Sequence, residues 1–142
     1  MYINKMSLRF TAKSENEGFA RLAVASFCSN VIKDVEVISD IKTAVSEAVT
    51  NAIVHGYDSG EGEVDISCVL NDCEVTITIE DTGVGIEDVE QAKKPFFTTK
   101  PNKERSGMGF TVMEGFMDKV VVESGIGVGT RITLIKQLGS IA

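Results

Sequence analysis

Residues 47–56 read Glu47-Ala-Val-Thr-Asn51-Ala-Ile-Val-His55-Gly56, and this segment decides the fold. Its apolar residues continue a helical spacing that predicts a helix over residues 37–57, ending near Gly56. Glu47 and Asn51 are one helical turn apart, so their side chains leave the helix in the same direction. Such pairs are also common on the solvated face of an amphipathic helix. The segment alone therefore leaves open both a functional site and a plain surface.

A second pocket wall is predicted at Asp81-Thr-Gly83-Val-Gly85. Alternating apolar residues before this segment predict a strand, and Asp81 stands where that strand ends. Gly83 and Gly85 let a ligand approach the backbone closely. The carboxylate can accept a hydrogen bond from an exocyclic amine such as that of adenine. An ordinary strand-to-turn transition is the alternative, since Asp and Gly are frequent there.

The rest of the chain alternates hairpin and helix patterns. The expected elements are a strand at 5–12, a helix that begins with a capping box at Ser14 and Glu17, a hairpin at 64–70 and 75–79, a helix that opens at Gly107, and strands at 120–123 and 130–136. Poor periodicity predicts a long loop at 87–106. This order favours an α+β fold, a two-layer sandwich with a mixed sheet and helices on one face. We expect one domain over residues 1–142, with a lid at about 92–108.

Composition excludes several classes of protein. The net charge of −7 disfavours nucleic acid as the main partner, because the phosphate backbone selects basic surfaces. No apolar run is long enough for a membrane span and no signal pattern is present, so we expect a cytoplasmic protein. Three cysteines without CxxC spacing predict reduced thiols rather than a zinc site. Basic residues cluster in the predicted lid, at Lys93, Lys94, Lys100, Lys103 and Arg105.

Each motif has a chemistry beside its ordinary structural role. Asn51 can complete the shell of a Mg²⁺ ion that otherwise holds phosphate oxygens and waters. Glu47 can accept the proton of an attacking hydroxyl or water. Gly107-Met-Gly109 at a helix start exposes backbone N–H groups that favour phosphate. The segment Gly127-Val-Gly129-Thr130 is equally well explained as a plain hairpin turn.

In combination and in this order, the motifs resemble the N, G1, G2 and G3 boxes of the GHKL ATPases, over nearly the whole chain. Within that superfamily, segments 46–57, 95–101 and 104–110 are similar to the anti-sigma factor serine kinases, most of all to the anti-sigma F factors of sporulating bacteria. Walker A and protein-kinase signatures are absent. The only histidine is His55, on the predicted helix, so a complete histidine kinase is not expected.

The resemblance implies a fold of the GHKL (Bergerat) ATPase type and an ATP- and Mg²⁺-dependent protein-serine kinase. It implies Glu47 as the general base, Asn51 as the Mg²⁺ ligand and Asp81 as the residue that binds the adenine amine. The other implied contacts are Gly83, Gly85 and Thr130 at the base, and Lys100, Arg105, Gly107 and Gly109 at the phosphates, with Arg105 as a catalytic residue at the γ-phosphate.

The resemblance also implies three protein contacts: a sigma factor of the sigma F type that is bound and silenced, an anti-anti-sigma protein phosphorylated on serine, and a second copy in a homodimer. Glu17 and Arg21, expected to be exposed on the first helix, are candidates for the partner surface, with an ordinary helix face as the alternative. Two other functions stay open. One is a switch kinase of a general stress pathway, and the other is a nucleotide-gated sigma-binding module without phosphotransfer.

Overall fold

The computed structural model describes residues 3–56, 62–86, 88–94 and 109–139. In chain order, the elements are β1 (Ile3–Thr11), α1 (Asn16–Cys28), α2 (Val35–Asn51), a π-helical turn (Ala52–Gly56), β2 (Glu63–Asn71), β3 (Glu74–Asp81), α3 (Val89–Ala92), α4 (Gly109–Phe116), β4 (Lys119–Gly125) and β5 (Gly129–Gln137). No described helix is both long and apolar enough to cross a membrane.

The described strands form one five-stranded sheet in the order β1-β2-β3-β5-β4. The two-layer α+β expectation is confirmed. The sheet is antiparallel at every described pairing, however, and not mixed. The reason lies in the helical connection between the first two strands. Helices α1 and α2 return the chain to the end of the sheet that it left, so Glu63 begins β2 opposite Thr11, the last residue of β1.

The core lies between the sheet and helices α1, α2 and α4. Alternate residues of β2 and β3 point inward, and α2 supplies a buried stripe, as the apolar pattern predicted. The largest fully buried side chains include Ile41, Val45, Val49, Ile66, Leu70, Ile77, Ile79, Met113 and Leu134. Burying each such side chain contributes about 1.5–3 kcal/mol. This packing holds α2 between α1 and α4.

The predicted capping box at Ser14 and Glu17 is wrong. Glu15 is the N-cap of α1, its backbone is helical (φ −64°, ψ −17°), and no side chain caps the helix. Glu17 reaches forward to Arg21 instead, with Oε2 3.6 Å from Nη1. A side-chain cap occurs at α2, where Asp34 accepts from the Glu36 N–H at 2.9 Å. The second helix thus begins two residues before the prediction.

Three other sequence predictions have mixed outcomes. The predicted helix to residue 57 ends its α-helical part at Asn51 and continues as a π-helical turn to Gly56, while residue 57 lies outside the described residues. The predicted loop contains the short helix α3. Cys28 and Cys68 are buried as reduced thiols, whereas Cys73 is exposed in the β2–β3 turn.

Candidate functional site

The first residue of α4 brings the Glu and Asn of α2 together. A Cβ placed on Gly109 would stand 3.3 Å from Asn51 Nδ2, 3.4 Å from Asn51 Oδ1 and 3.4 Å from Glu47 Oε2. The two side chains therefore do leave α2 on one side, as their spacing predicted. They meet the N-terminus of another helix there, where exposed N–H groups and the helix dipole attract anions. Both side chains are half-buried beside α4, so neither lies on a fully solvated helix face.

Asp81 closes β3 with a buried carboxyl group. It is 8% exposed and is the only buried charged side chain among the described residues. Its Oδ1 accepts from the Gly83 N–H at 2.9 Å. Burial raises the pKa of Asp81 above its ordinary value, and hydrogen bonds from the backbone N–H groups of Gly83 and Thr130 oppose part of that rise. A carboxylate held this way can accept further hydrogen bonds, and its raised pKa means that it protonates at a higher pH than an ordinary aspartate.

Two glycines let the loop after Asp81 lie directly on the β4–β5 hairpin. Gly85 has φ +81°, and a Cβ there would overlap the carbonyl oxygen of Gly125. Gly129 has φ +118°, and a Cβ there would overlap the carbonyl oxygen of Asp81. Thr130 pairs directly with Asp81 in the β3–β5 register. The segments that carry Asp81, Gly83, Gly85 and Thr130 are thus assembled into one wall.

Ser124 is part of this wall, and the sequence prediction missed it. Its Oγ accepts from the Ile86 N–H at 2.7 Å and contacts the Gly129 carbonyl oxygen at 2.9 Å and Thr130 Oγ1 at 2.8 Å. The predicted strand stopped at residue 123, two residues before β4 ends at Gly125. A usable signal was present, because Ser124 continues the inward-facing alternation of Val120 and Val122 and is the one polar residue of that series.

The π-helical turn joins the two halves of the site. It continues α2 beyond Asn51 and packs against β3 and β5, the strands that carry Asp81 and Thr130. Ala52 and Ile53 of this turn are buried in the core. π-Helical turns occur frequently at functional sites. Lys100, Arg105 and Gly107, the remaining predicted phosphate-binding residues, lie outside the described residues.

A pocket between α1 and α2 reaches the same glutamate. It has a volume of about 210 Å³ and is lined by Arg21, Ser39, Lys42, Thr43, Ser46 and Glu47. Arg21 and Glu17 are half-buried, not exposed as predicted, with 37% and 22% of their side chains accessible. Arg21 Nε and Glu17 Oε2 are buried without a hydrogen-bond partner among the described residues. Of the two predicted partner residues, Arg21 lines a pocket that also reaches Glu47, and Glu17 is paired with Arg21.

A family comparison and two relatives identify this arrangement. The histidine kinase-like ATPase domain matches residues 10–136. An anti-sigma F factor of Clostridium acetobutylicum is 55% identical over 141 residues, covering 99% of each chain. The chain belongs to the anti-sigma F factor family of histidine kinase-like ATPases. Another relative, the anti-sigma F factor of Geobacillus kaustophilus, is 53% identical over 136 residues, or 95% of this chain and 93% of that one.

Solved structures agree with this assignment at the level of the fold. A Mycobacterium tuberculosis protein, solved as its RsbU and RsbW domains, has a TM-score of 0.65 at 21% identity, over 92% of this chain and 32% of that one. The mycobacterial sensor histidine kinase MprB has a TM-score of 0.60 at 19% identity, over 96% and 99%. The resemblance to GHKL ATPases and to anti-sigma F factors is confirmed. An ATPase domain implies that the chain binds a nucleotide.

Proposed function

We propose that this chain is a cytoplasmic anti-sigma factor and an ATP- and Mg²⁺-dependent protein-serine kinase. It binds and silences a sigma factor of the sigma F type, and it phosphorylates an anti-anti-sigma protein on serine. It acts as a homodimer. The observation that carries the proposal is the convergence of Glu47 and Asn51 on Gly109 at the start of α4. A module that only binds nucleotide needs no carboxylate at that place.

The base end of the nucleotide lies, in this proposal, against the wall formed by β3 and the β4–β5 hairpin. Asp81 accepts a hydrogen bond from the adenine amine, since a buried carboxylate with free acceptor capacity suits a donor. Gly83, Gly85 and Thr130 shape the space for the ring, because the loop lies so close to the hairpin that side chains do not fit. The triphosphate then extends toward the N-terminus of α4.

The phosphate end lies at Gly109. The N–H groups of the first turn of α4 face the phosphates, and Lys100, Arg105 and Gly107 complete that side. The side-chain oxygens of Asn51 and Glu47 at one helix start fit a Mg²⁺ site with few protein ligands, and we assign the ion to Asn51. When bound, Mg²⁺ neutralises charge on the triphosphate.

Glu47 acts as the general base in the transfer. It takes the proton of the substrate serine hydroxyl while the serine oxygen bonds to the γ-phosphorus and the bond from that phosphorus to the bridging oxygen of ADP breaks. Positioning and charge neutralisation supply most of the rate in such reactions. Arg105 is our choice for the γ-phosphate contact.

The protein partners dock, in this proposal, on the pocket between α1 and α2. Arg21 lines this pocket and keeps 37% of its side chain accessible, so its guanidinium can contact a carboxylate of a partner. Because the pocket extends to Glu47, a protein bound at Arg21 lies beside the base. We expect Arg21→Ala to weaken binding of the anti-anti-sigma protein by about 1–3 kcal/mol, at least fivefold in Kd.

Arg9→Ala is the matched control for Arg21→Ala. Arg9 is paired with Asp65 on the outer face of the sheet, away from α1, so its loss should leave partner affinity unchanged. Surface plasmon resonance with the sigma factor and with the antagonist measures both variants. Equal weakening by both substitutions, or none by Arg21→Ala, would remove the pocket from the partner surface.

The proposal as a whole is tested by phosphotransfer. The purified protein is mixed with γ-labelled ATP and with candidate anti-anti-sigma proteins, and the products are examined for phosphoserine. Label on the serine of a sporulation antagonist is the expected result. Label only on an antagonist of a general stress pathway favours the switch kinase. ATP-dependent sigma binding with no transfer to any antagonist favours the nucleotide-gated module.

Gly109 offers a prediction with a control on the same helix. Gly109→Ala places a Cβ 3.3 Å from Asn51 Nδ2, tighter than most Cβ contacts, so the Asn51 amide must shift slightly, whereas Glu47 Oε2 at 3.4 Å is at the limit of ordinary contact. Overpacking of this kind lowers stability by about 1 kcal/mol, and because it displaces the residue assigned to Mg²⁺, we expect ATP affinity to fall about fivefold. Gly115→Ala meets nothing within 4 Å and should instead stabilise α4 by about 0.5–1 kcal/mol. Calorimetry and thermal unfolding distinguish the two, and similar behaviour of both variants would contradict the packing argument.

A further inference from the structure

The hydroxyl group of Ser124 connects three parts of the proposed base pocket. Its Oγ is 2.7 Å from the Ile86 backbone nitrogen, 2.9 Å from the Gly129 carbonyl oxygen and 2.8 Å from Thr130 Oγ1. Ile86 lies in the segment that follows Asp81, while Gly129 and Thr130 begin β5. One side chain therefore holds the loop and the strand together beneath the pocket.

The three contacts determine which group donates in each. A serine hydroxyl has one hydrogen and two lone pairs. The Gly129 carbonyl oxygen can only accept, so Ser124 donates its hydrogen bond to that oxygen. The Ile86 N–H occupies one lone pair of Ser124. The remaining lone pair faces Thr130, whose hydroxyl must then be the donor in that contact.

This assignment determines whether the Thr130 hydroxyl donates to a ligand or accepts from it. Its single hydrogen points at Ser124, so only its lone pairs are available to a ligand. Thr130 pairs directly with Asp81, and side chains of paired residues lie on the same face of a sheet. The ionised Asp81 carboxylate also only accepts. The wall thus offers two acceptors side by side, which suit an amine and oppose a carbonyl oxygen.

We propose that Ser124 is a positioning residue that sets base specificity by holding the Thr130 hydroxyl as an acceptor, so that the pocket selects a 6-amino purine over a 6-oxo purine. This inference rests on the proposed function, since it takes Asp81 and Thr130 as the residues that face the base. Ser124 acts through Thr130 and does not itself touch the ligand.

The test compares the dissociation constants of ATP and inosine triphosphate, which carries a 6-oxo group in place of the 6-amino group. In Ser124→Ala the Thr130 hydroxyl is released and can turn to donate to the 6-oxo group. We expect the ratio of the two constants, inosine triphosphate over ATP, to fall about fivefold to tenfold, the equivalent of one hydrogen bond. Ser124→Thr keeps the hydroxyl and should retain the wild-type ratio.

Two further variants separate polarity from packing. Ser124→Cys fills the same space with a weak hydrogen-bonding group, so it should lower the ratio as Ser124→Ala does. A wild-type ratio in Ser124→Cys would show that volume alone matters and would overturn the inference. In a Thr130→Val background, adding Ser124→Ala should change the ratio no further, because the two residues act as one unit. An additive effect would also overturn it.

The outcomes distinguish this inference from the proposed function. If the wild-type protein prefers ATP and Ser124→Ala keeps that preference, Ser124 has no role in specificity while the kinase proposal stands. If the wild-type protein binds the two nucleotides equally, the assignment of Asp81 to the adenine amine fails, and the role of Ser124 falls with it. Thermal unfolding of each variant confirms that folded protein is compared.

Discussion

Glu47→Gln should abolish serine phosphorylation while ATP still binds. The substitution keeps the shape of the side chain and its contact with Gly109 but removes the group that takes the serine proton. General-base catalysis contributes about 100-fold to 10,000-fold, so we expect a loss of that size in the single-turnover rate. ATP affinity should be unchanged or slightly higher, because a negative charge near the triphosphate is removed. Labelled phosphoserine and calorimetry give the two readouts.

The control for this variant lies on the same helix. Glu36→Gln removes the same charge in the first turn of α2, three turns away from Glu47, and should leave the transfer rate intact. Normal phosphorylation by Glu47→Gln would exclude Glu47 as the base. Loss of both transfer and ATP binding would instead mean that Glu47 maintains the shape of the nucleotide site. Its position beside Gly109, at the start of α4, would account for that role.

Asp81→Asn should weaken ATP binding sharply. The buried carboxylate is replaced by an uncharged amide. In one orientation the new NH2 group faces the adenine amine, and in the other it faces the N–H groups of Gly83 and Thr130. Either way a donor meets a donor. A hydrogen bond to a charged group contributes about 1.5–3 kcal/mol, which corresponds to about 10-fold to 150-fold in Kd. Asp72→Asn, in the exposed β2–β3 turn, removes the same charge at the other end of β3 and should not alter affinity. Unchanged calorimetric affinity of Asp81→Asn would contradict the adenine assignment.

The pH dependence of ATP binding tests the same carboxyl group. The ionised form accepts from the adenine amine, so binding is present above the pKa of Asp81 and is lost as the pH falls through it. Because burial raises that pKa, the loss begins at a higher pH than an ordinary aspartate would give. Protonation of ATP itself is common to all variants, so the difference between wild type and Asp81→Asn isolates Asp81. Parallel profiles for the two proteins would contradict this cause.

Much of the fold was predictable because its signals are local. The alternation in β2 and β3 and the apolar stripe of α2 gave these elements to within a few residues. The capping of α1 was wrong, because the side chain of Glu17 pairs with Arg21 and does not return to the helix start. A capping motif competes with any other partner within reach of the same side chain, and sequence spacing does not decide that competition.

The residues of the candidate site also fall into two groups, those that sequence motifs predicted and one that they missed. Glu47, Asn51 and Asp81 were found from motifs in which neighbouring residues form a recognisable pattern. Ser124 was missed because its importance comes from Ile86, which is 38 positions away in the sequence, and from a strand partner across the sheet. The alternation along β4 places Ser124 on the inner face, but it does not show which groups its hydroxyl contacts there. Such residues appear only once the register of the strands is known.

By itself, the sequence determined the elements, the α+β class and the family, because periodicity and motif spacing are properties of neighbouring residues. Only the tertiary structure decided that Gly109 meets both Glu47 and Asn51, that the loop after Asp81 lies on the β4–β5 hairpin, and that the sheet is antiparallel throughout its described strands. These facts depend on packing between segments far apart in the chain. The sequence alone predicted that residues 47–56 are helical. The packing of Gly109 beside Glu47 and Asn51 makes this segment one wall of a candidate site.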